Sequence, residues 1–449
     1  MKSWQSLTMN RSSVRHQEVA RDQSRVVGRW SLLLTRDFRL IWLSQLVAQV
    51  GDGVSNLALL WFVYSITGSP VKTTIIGLLH TIPPIVLGPF IGVYVDRLPK
   101  KLFLVGPYTV RAVLIGIIPC AIASNTFTVN FLYVLVLLDA VAMAMLTPAL
   151  TSTVALIVPR TQFTAANALI QSTTSLGIIF GPALSGIGIH LFGSQEVLCL
   201  NAATYFVSAL CLGLVQLGPL PRASGPQRTE GSAWQDLLDG LAFVAIKQRI
   251  ILLLIVTAAC YGFGASALTT LFPVFARKML GAGPVEVGFL WSVLGVGLLL
   301  MSMALLRFTE WNLSDRTKII AGASVTSAFG IGALIWTKDL LLVSFLMIAI
   351  GGGMGAFTPI AWGVVQELTP ASMVGRILGL YSTGVMVAAI SGISAFGWVT
   401  ERFGESIGVS GIGATFFLTA SLAPSTLSTL SVRPGSSALV FAVRRAPIG

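Results

Sequence analysis

Charged residues are scarce in this chain of 449 residues. They make up 10% of it, and the mean hydropathy is +0.84, whereas ordinary soluble domains contain about 25% charged residues. So few charges cannot cover the surface of a water-soluble protein of this size, which excludes a soluble enzyme. The formal net charge is +12, but the same scarcity excludes a nucleic-acid-binding surface in addition to a soluble exterior.

Several chemical motifs are also missing. The four cysteines (Cys120, Cys199, Cys211 and Cys260) lie in apolar runs without metal-ligand spacing, so we expect small buried side chains and no metal site. The phosphate-binding pattern GxxxxGK[ST] does not occur, which argues against ATP as the energy source. We predict no cofactor and no enzymatic activity.

Long apolar runs are the main positive feature. A membrane-spanning helix needs about 20 mostly apolar residues, and twelve runs between polar punctuation meet this need. The last is the weakest, because it is rich in Ser and Thr and contains Pro424. We predict an all-α polytopic membrane protein with twelve transmembrane helices near 39–66, 72–95, 102–123, 127–149, 164–189, 196–217, 250–276, 285–307, 318–337, 340–366, 376–399 and 406–427.

The basic residues predict the orientation of these spans. With both termini on one side, 23 of the 29 Lys and Arg residues fall on that side and five on the other. Because positive residues mark the cytoplasmic side, we expect both termini in the cytoplasm and the protein in the cell membrane. The first 36 residues lack the apolar core of a signal peptide and are expected to form a cytoplasmic tail.

The spans divide into two related sets of six. The predicted organisation is a cytoplasmic N-terminal tail (1–36), a first six-helix half (37–217), a cytoplasmic central loop (218–249), a second six-helix half (250–427) and a cytoplasmic tail (428–449). A shift of 211 residues aligns ten identities within positions 147–193. This pattern indicates a duplicated unit, and transporters built from such repeats bind substrate between the halves. The identical pairs are Thr147/Thr358, Pro148/Pro359, Val154/Val365, Pro159/Pro370, Leu169/Leu380, Ile179/Ile390, Gly181/Gly392, Gly186/Gly397, Phe192/Phe403 and Gly193/Gly404.

A charged loop follows the second span. It contains Gly92, Asp96, Arg97, Lys100 and Lys101 in the pattern GxxxDRxxKK. One interpretation is ordinary flanking charge at the membrane boundary. The pattern also resembles the signature loop of the major facilitator superfamily, which implies the fold of that superfamily with two pseudo-symmetric halves.

The resemblance also implies a role for this loop as a conformational latch. Asp96 would meet the N-terminus of span eleven near Gly375–Arg376, where the helix dipole favours an anion. Pro99 stands where the signature usually has glycine, which affects the shape of the loop more than its charge.

Span five contains a second motif, formed by Gly177, Gly181, Pro182 and Gly186. Small residues allow close helix packing in membranes in general, and the motif also resembles that of superfamily antiporters, although an earlier glycine of the full motif is Ala168 here. Other stretches, including Gly51-Asp52-Gly53, are similar to the branch of proton-driven exporters that contains macrolide-efflux and enterobactin-export proteins.

Three ionisable residues fall inside predicted spans at similar depth: Asp52, Arg111 and Asp139. A charge at the bilayer centre costs about 2.5–3.5 kcal/mol on insertion scales. They could form an ion pair needed only for folding. Alternatively, one cation between two acids leaves one carboxylate in excess, which could exchange a proton. We treat all three as candidates for proton coupling, with Arg111 as the structural or tuning partner.

Candidate cavity residues surround this group. Gln45, Gln49, Asp52 and Asn56 are spaced to lie along one stripe of span one. A polar stripe on an apolar helix must face protein or an aqueous cavity, and we favour the cavity. In the second half, Tyr261 and Trp362 could contact an amphipathic ligand, although packing explains them equally well.

The leading hypothesis is a secondary transporter that exports small amphipathic, drug-like or macrolide-like molecules by proton antiport, a function associated with multidrug resistance. The alternatives are a dedicated siderophore or metabolite exporter and, less favoured, a non-transporting membrane receptor. The expected partners are a small-molecule substrate, protons and the lipid bilayer, with no nucleic acid, and we expect a monomer.

Overall fold

The computed structural model describes residues 31–95, 100–124, 126–159, 162–216, 249–305, 313–369 and 374–431, and these form twelve long helices after a short 3-10 turn, Ser31–Leu34. The first six are α1 (Arg36–Thr67), α2 (Pro70–Val95), α3 (Lys100–Ala123), α4 (Val129–Ile157), α5 (Phe163–Phe192) and α6 (Ser194–Gly213). The second six are α7 (Arg249–Met279), α8 (Pro284–Leu305), α9 (Leu313–Ala333), α10 (Leu340–Leu368), α11 (Val374–Phe403) and α12 (Glu405–Ser431).

Eleven of these helices are long and apolar enough to cross a membrane. The exception is α9, which has 21 residues and carries Asp315, Arg316 and Lys318 in its first turns. The last helix, the weakest by sequence, does form, and its apolar segment covers Glu405–Ala423. The chain is therefore a multi-span membrane protein, and the expectation of an all-helical fold is confirmed.

Most helix ends lie within a few residues of the sequence prediction, and the largest differences are in α4 and α9. Helix α4 continues to Ile157, eight residues beyond the predicted end at 149. Its last turns include Thr151, which lies beyond the predicted end and faces the cavity described below. Helix α9 covers Leu313–Ala333 and so lies closer to the N-terminus than the predicted 318–337, because its charged residues belong to the helix.

The internal repeat is visible in the packing of equivalent glycines. A Cβ added to Gly181 of α5 would meet the backbone of Gly53 in α1, and one added to the equivalent Gly392 of α11 would meet the backbone of Phe263 in α7. Helices α5 and α11 therefore pack against the first helix of their own half in the same way. The two six-helix halves are pseudo-symmetric in structure as well as in sequence.

The halves meet along two seams, α5 against α8 and α2 against α11. The repeat-related glycines Gly186 and Gly397 lie at these two seams. Gly186 of α5 lies against the backbone of Pro284 in α8, and Gly397 of α11 lies against the Thr74 side chain in α2. Because glycine has no side chain, the two helices of each seam can approach closely at these positions.

These seams lie toward one face of the bundle. We call the face where α6 ends at Gly213 and α7 begins at Arg249 the central-loop face, and the other the opposite face. The turns Thr67–Pro70 and Met279–Pro284 belong to the opposite face. Since Gly186, Pro284 and Thr74 lie near these turns, the halves are joined close to the opposite face.

Candidate functional site

A cavity of about 300 Å³ lies within the first half. It extends from Asn167, near the start of α5 on the central-loop face, to Asp52 at the middle of α1. Asp52 is the one charged side chain among the described residues that line it. The full lining consists of Gln45, Gln49, Asp52, Tyr108, Met143, Leu146, Thr147, Leu150, Thr151, Val154, Asn167, Ile170, Gln171 and Thr174.

The three intramembrane ionisable residues form one cluster at the end of this cavity that lies deepest in the helix bundle. Arg111 donates from Nε to Asp139 Oδ1 at 2.9 Å and from Nη2 to Asp139 Oδ2 at 3.2 Å. The same Nη2 lies 2.8 Å from Asp52 Oδ1. The guanidinium thus joins carboxylates from α1 and α4, and the structure brings the three residues together.

Burial distinguishes the two carboxylates. The side chains of Arg111 and Asp139 are each 2% exposed, whereas that of Asp52 is 21% exposed and borders the cavity. When both acids are ionised, the cluster carries one net negative charge. Asp139 takes two of the guanidinium hydrogen bonds, and Asp52 is the carboxylate of the cluster that borders the cavity.

Tyr205 of α6 completes the cluster and was not among the residues predicted from sequence. Its hydroxyl donates to Asp52 Oδ1 at 2.7 Å and accepts a hydrogen bond from Arg111 Nη2 at 2.8 Å. The Arg111 guanidinium carbon also lies 4.1 Å from the centre of the Tyr205 ring. A signal was present in the sequence, because Asn201, Tyr205 and Ser208 form a polar stripe on α6.

The polar stripe of α1 meets the cavity over only part of its length. Gln45 and Gln49 line it together with Asp52, and Gln45 Nε2 donates to the hydroxyl of Tyr108 at 3.0 Å. Asn56, one turn further along, is exposed on α1 and is not among the cavity's lining residues.

The two aromatic candidates of the second half pack against other aromatic side chains. Tyr261 stacks on Phe357 with ring centres 4.2 Å apart and donates its hydroxyl to the carbonyl of Met354. Trp362 meets Tyr381 edge-on at 5.5 Å. The structure therefore places Tyr261 and Trp362 in the packing of the second half, away from the residues that line the cavity.

The predicted latch loop falls largely outside the described residues. Asp96 and Arg97 are outside the described residues. Gly92 and Lys100 belong to helices α2 and α3, but their surroundings are not described. Lys101 is exposed in the first turn of α3. The contact expected between Asp96 and the start of α11 therefore remains a prediction.

The glycine and proline motif of α5 lies where three helices meet. A Cβ on Gly177 would lie 2.5 Å from the Gln49 carbonyl oxygen, and one on Gly181 would lie 2.6 Å from the Gly53 Cα. The other part of the motif faces α8, where Gly288 lies against the Pro182 carbonyl. The motif packs α5 against the helix that carries Asp52 and against the other half of the molecule.

Sequence comparison agrees with this architecture. The profile of the Major Facilitator Superfamily matches residues 41–393, which is most of the chain. The chain belongs to this superfamily. It is therefore a transporter and not an enzyme.

Relatives within the superfamily include named efflux proteins. The chain is 22% identical to macrolide efflux protein A of Streptococcus pyogenes, over 82% of this chain and 90% of that protein. It is 24% identical to the multidrug efflux pump Tap of Mycolicibacterium fortuitum, over 81% and 89%. An uncharacterised transporter of Bacillus subtilis, YfiS, is 26% identical over 81% and 87%.

Solved structures with this fold are transporters as well. A bacterial homologue of the lysosomal transporter Spinster, inward-facing and occupied, matches with a TM-score of 0.67 and 14% identity, over 87% of this chain and 96% of that one. An inward-facing bacterial homologue of the iron transporter ferroportin gives a TM-score of 0.67 at 14% identity, over 89% and 99%. At this identity, the likeness shows the fold alone.

The α5 motif of this superfamily member supports a testable prediction. Gly181→Ala places a methyl group against the Gly53 backbone, which cannot move aside as a side chain could. We expect a loss of about 1–3 kcal/mol, the typical cost of overpacking, seen as a lower melting temperature in detergent. Gly106→Ala is the matched control, because nothing lies within 4 Å of its added Cβ. Equal melting temperatures for the two variants would contradict the close packing.

Proposed function

We propose that this transporter exports small amphipathic molecules in exchange for protons by alternating access. The observation that carries the proposal is the position of Asp52, which contacts both the cavity and the buried Arg111–Asp139 pair. An ionisable side chain inside a membrane protein is by default a functional candidate when it borders a water-filled space.

The proton would act through the charge of the cluster. With Asp52 ionised, its Oδ1 accepts from the Tyr205 hydroxyl and forms an ion pair with Arg111, and the cluster carries one net negative charge. Protonation of Asp52 makes the cluster neutral and leaves Asp139 as the one charged partner of Nη2 within the cluster. A substrate bound in the cavity contacts the same carboxylate, so proton and substrate binding are coupled and each alters the affinity for the other.

The cavity lining supports an amphipathic substrate. Apolar side chains such as Leu146 and Ile170 alternate with amides and hydroxyls such as Gln171 and Thr174. Such a surface accepts a molecule with both apolar area and hydrogen-bonding groups. The names of the relatives, which refer to macrolide and multidrug efflux, support export and a drug-like substrate. A dedicated siderophore or metabolite exporter is the alternative.

The orientation follows from the basic residues. We infer that both termini and the central-loop face are cytoplasmic, since 23 of 29 Lys and Arg residues fall on that side. The cavity then extends toward the cytoplasm, the seams lie near the external face, and this conformation is inward-facing. We propose that the protein acts as a monomer in the cell membrane.

Transport in membrane vesicles tests the energy source. In everted vesicles that contain the protein, uptake of a fluorescent amphipathic probe is expected to fall by about tenfold when nigericin collapses the pH gradient, because Asp52 then has no proton supply to couple with substrate. Vesicles without the protein give the background. Undiminished uptake after collapse of the proton gradient would refute proton antiport.

The choice of probes separates the two kinds of exporter. Uptake of several unrelated hydrophobic probes supports the amphipathic, multidrug assignment. Uptake of one siderophore or metabolite and of no other probe would favour the dedicated exporter over the multidrug exporter. That result would leave the proposed role of Asp52 unchanged.

A further inference from the structure

The N-terminus of α2 receives a side chain from the other half of the molecule. The first N–H groups of a helix have no partner within it and attract carboxylates. In α2, the Val71 N–H donates to Glu401 Oε2 at 2.8 Å, and the hydroxyl of Ser69 donates to the same oxygen at 2.5 Å. Glu401 belongs to α11, so a residue of the second half caps a helix of the first.

The neighbouring charges leave Glu401 free for this role. Lys278 of α7, the cation that shares a cavity of about 250 Å³ with Glu401, is paired with Glu405 of α12 at 2.8 Å. That pair joins two helices of the second half, and Lys278 is also hydrogen-bonded to Tyr64 of α1. Glu401 itself reaches across the boundary between the halves to α2.

The contact lies at the end of the α2–α11 seam. Gly397, one turn before Glu401, packs against Thr74, one turn after Val71. Separation of the halves at the opposite face would move these two helices apart and break the hydrogen bonds of Glu401. We therefore expect these bonds only in the conformation closed at that face.

We propose that Glu401 is an inter-half latch that stabilises the conformation closed at the opposite face by capping α2. The proposal goes beyond proton coupling and substrate choice, and needs only that this transporter alternates between two conformations. Asp96, by the expectation from sequence, would cap α11 at the central-loop face. The same helix pair would then carry one carboxylate latch for each conformation.

The distance between the halves at the opposite face measures the latch. Spin labels at Asn130 and Lys338, exposed near the opposite face with one in each half, report this distance in a background without the four native cysteines. We expect Glu401→Ala to raise the ratio of separated to closed molecules by about five- to tenfold, as for loss of a charged helix cap. Ser69→Ala, which removes one donor, should act in the same direction but less.

The matched control is Glu196→Ala. It removes an exposed carboxylate from the first turn of α6 at the same face, where Glu196 has no hydrogen bond or ion pair to the second half among the described residues, so the distance distribution should stay as in the unaltered protein. An unchanged distribution for Glu401→Ala, or an equal shift for Glu196→Ala, would overturn the proposal. Because Glu401 and Ser69 lie at the surface, both variants are expected to fold, and melting temperatures in detergent verify this.

Discussion

Replacement of Asp52 by Asn is expected to abolish gradient-driven export while leaving the helix bundle folded. Asn has the size of Asp and retains an oxygen that can accept the Tyr205 hydroxyl, but it cannot exchange a proton. The buried pair of Arg111 and Asp139 keeps its two hydrogen bonds. Net export in everted vesicles should fall at least about tenfold.

A second transport assay separates coupling from movement of substrate. Exchange of labelled for unlabelled substrate across the membrane needs the conformational change but no net proton transfer. We expect Asp52→Asn to retain this exchange. Asp315→Asn is the control. Asp315 is exposed, and its 3.7 Å contact with Lys318 is a surface ion pair of the kind that contributes little to stability. Proton-coupled export by the Asp52→Asn variant at the unaltered rate would show that another group carries the proton.

Replacement of Arg111 by Ala has the largest expected effect on stability. It removes the cation from between two carboxylates and leaves Asp139, 2% exposed, without its charged partner. Breaking a buried ion pair by removal of one partner costs about 3–5 kcal/mol. We expect a large fall in melting temperature in detergent and in the yield of folded protein.

A double variant identifies the cause of this loss. In Arg111→Ala/Asp139→Asn the unpaired buried charge is gone, so the protein should be more stable than Arg111→Ala alone. Asp139→Asn alone should be the mildest of the three, because Arg111 still pairs with Asp52. If the double variant were the least stable of the three, loss of packing and not a stranded charge would explain the effect of Arg111→Ala.

The sequence predicted the fold well because membrane insertion depends on composition. Apolar runs locate the spans, since lipid-facing surfaces must be apolar. The same reasoning ended α4 at 149, although the helix continues to Ile157 and both Thr147 and Thr151 belong to it. These residues face the cavity inside the protein, and hydropathy cannot distinguish a polar residue that lines a cavity from one in a loop.

The candidate site was predicted in part for a related reason. A single charged residue within an apolar span is easy to recognise in a sequence. Asp52, Arg111 and Asp139 could therefore be found one by one and grouped by their depth in the membrane. Tyr205 escaped because a tyrosine is common in membrane helices, and its role depends on which helices are neighbours. That information belongs to the tertiary fold, as does the packing of Tyr261 against Phe357.

The glycine-lined seams have a consequence for the speed of the transport cycle. At Gly186 the two halves meet backbone to backbone, and at Gly397 the Thr74 side chain lies against the glycine, so few side chains must be ordered again when the halves close at these positions. Ordering a side chain costs up to about 2 kcal/mol, and glycine avoids this cost. We therefore expect the dwell time of the closed state to depend on the few hydrogen bonds between the halves, so that loss of the bonds of Glu401 changes the rate of the cycle without changing which substrate is carried.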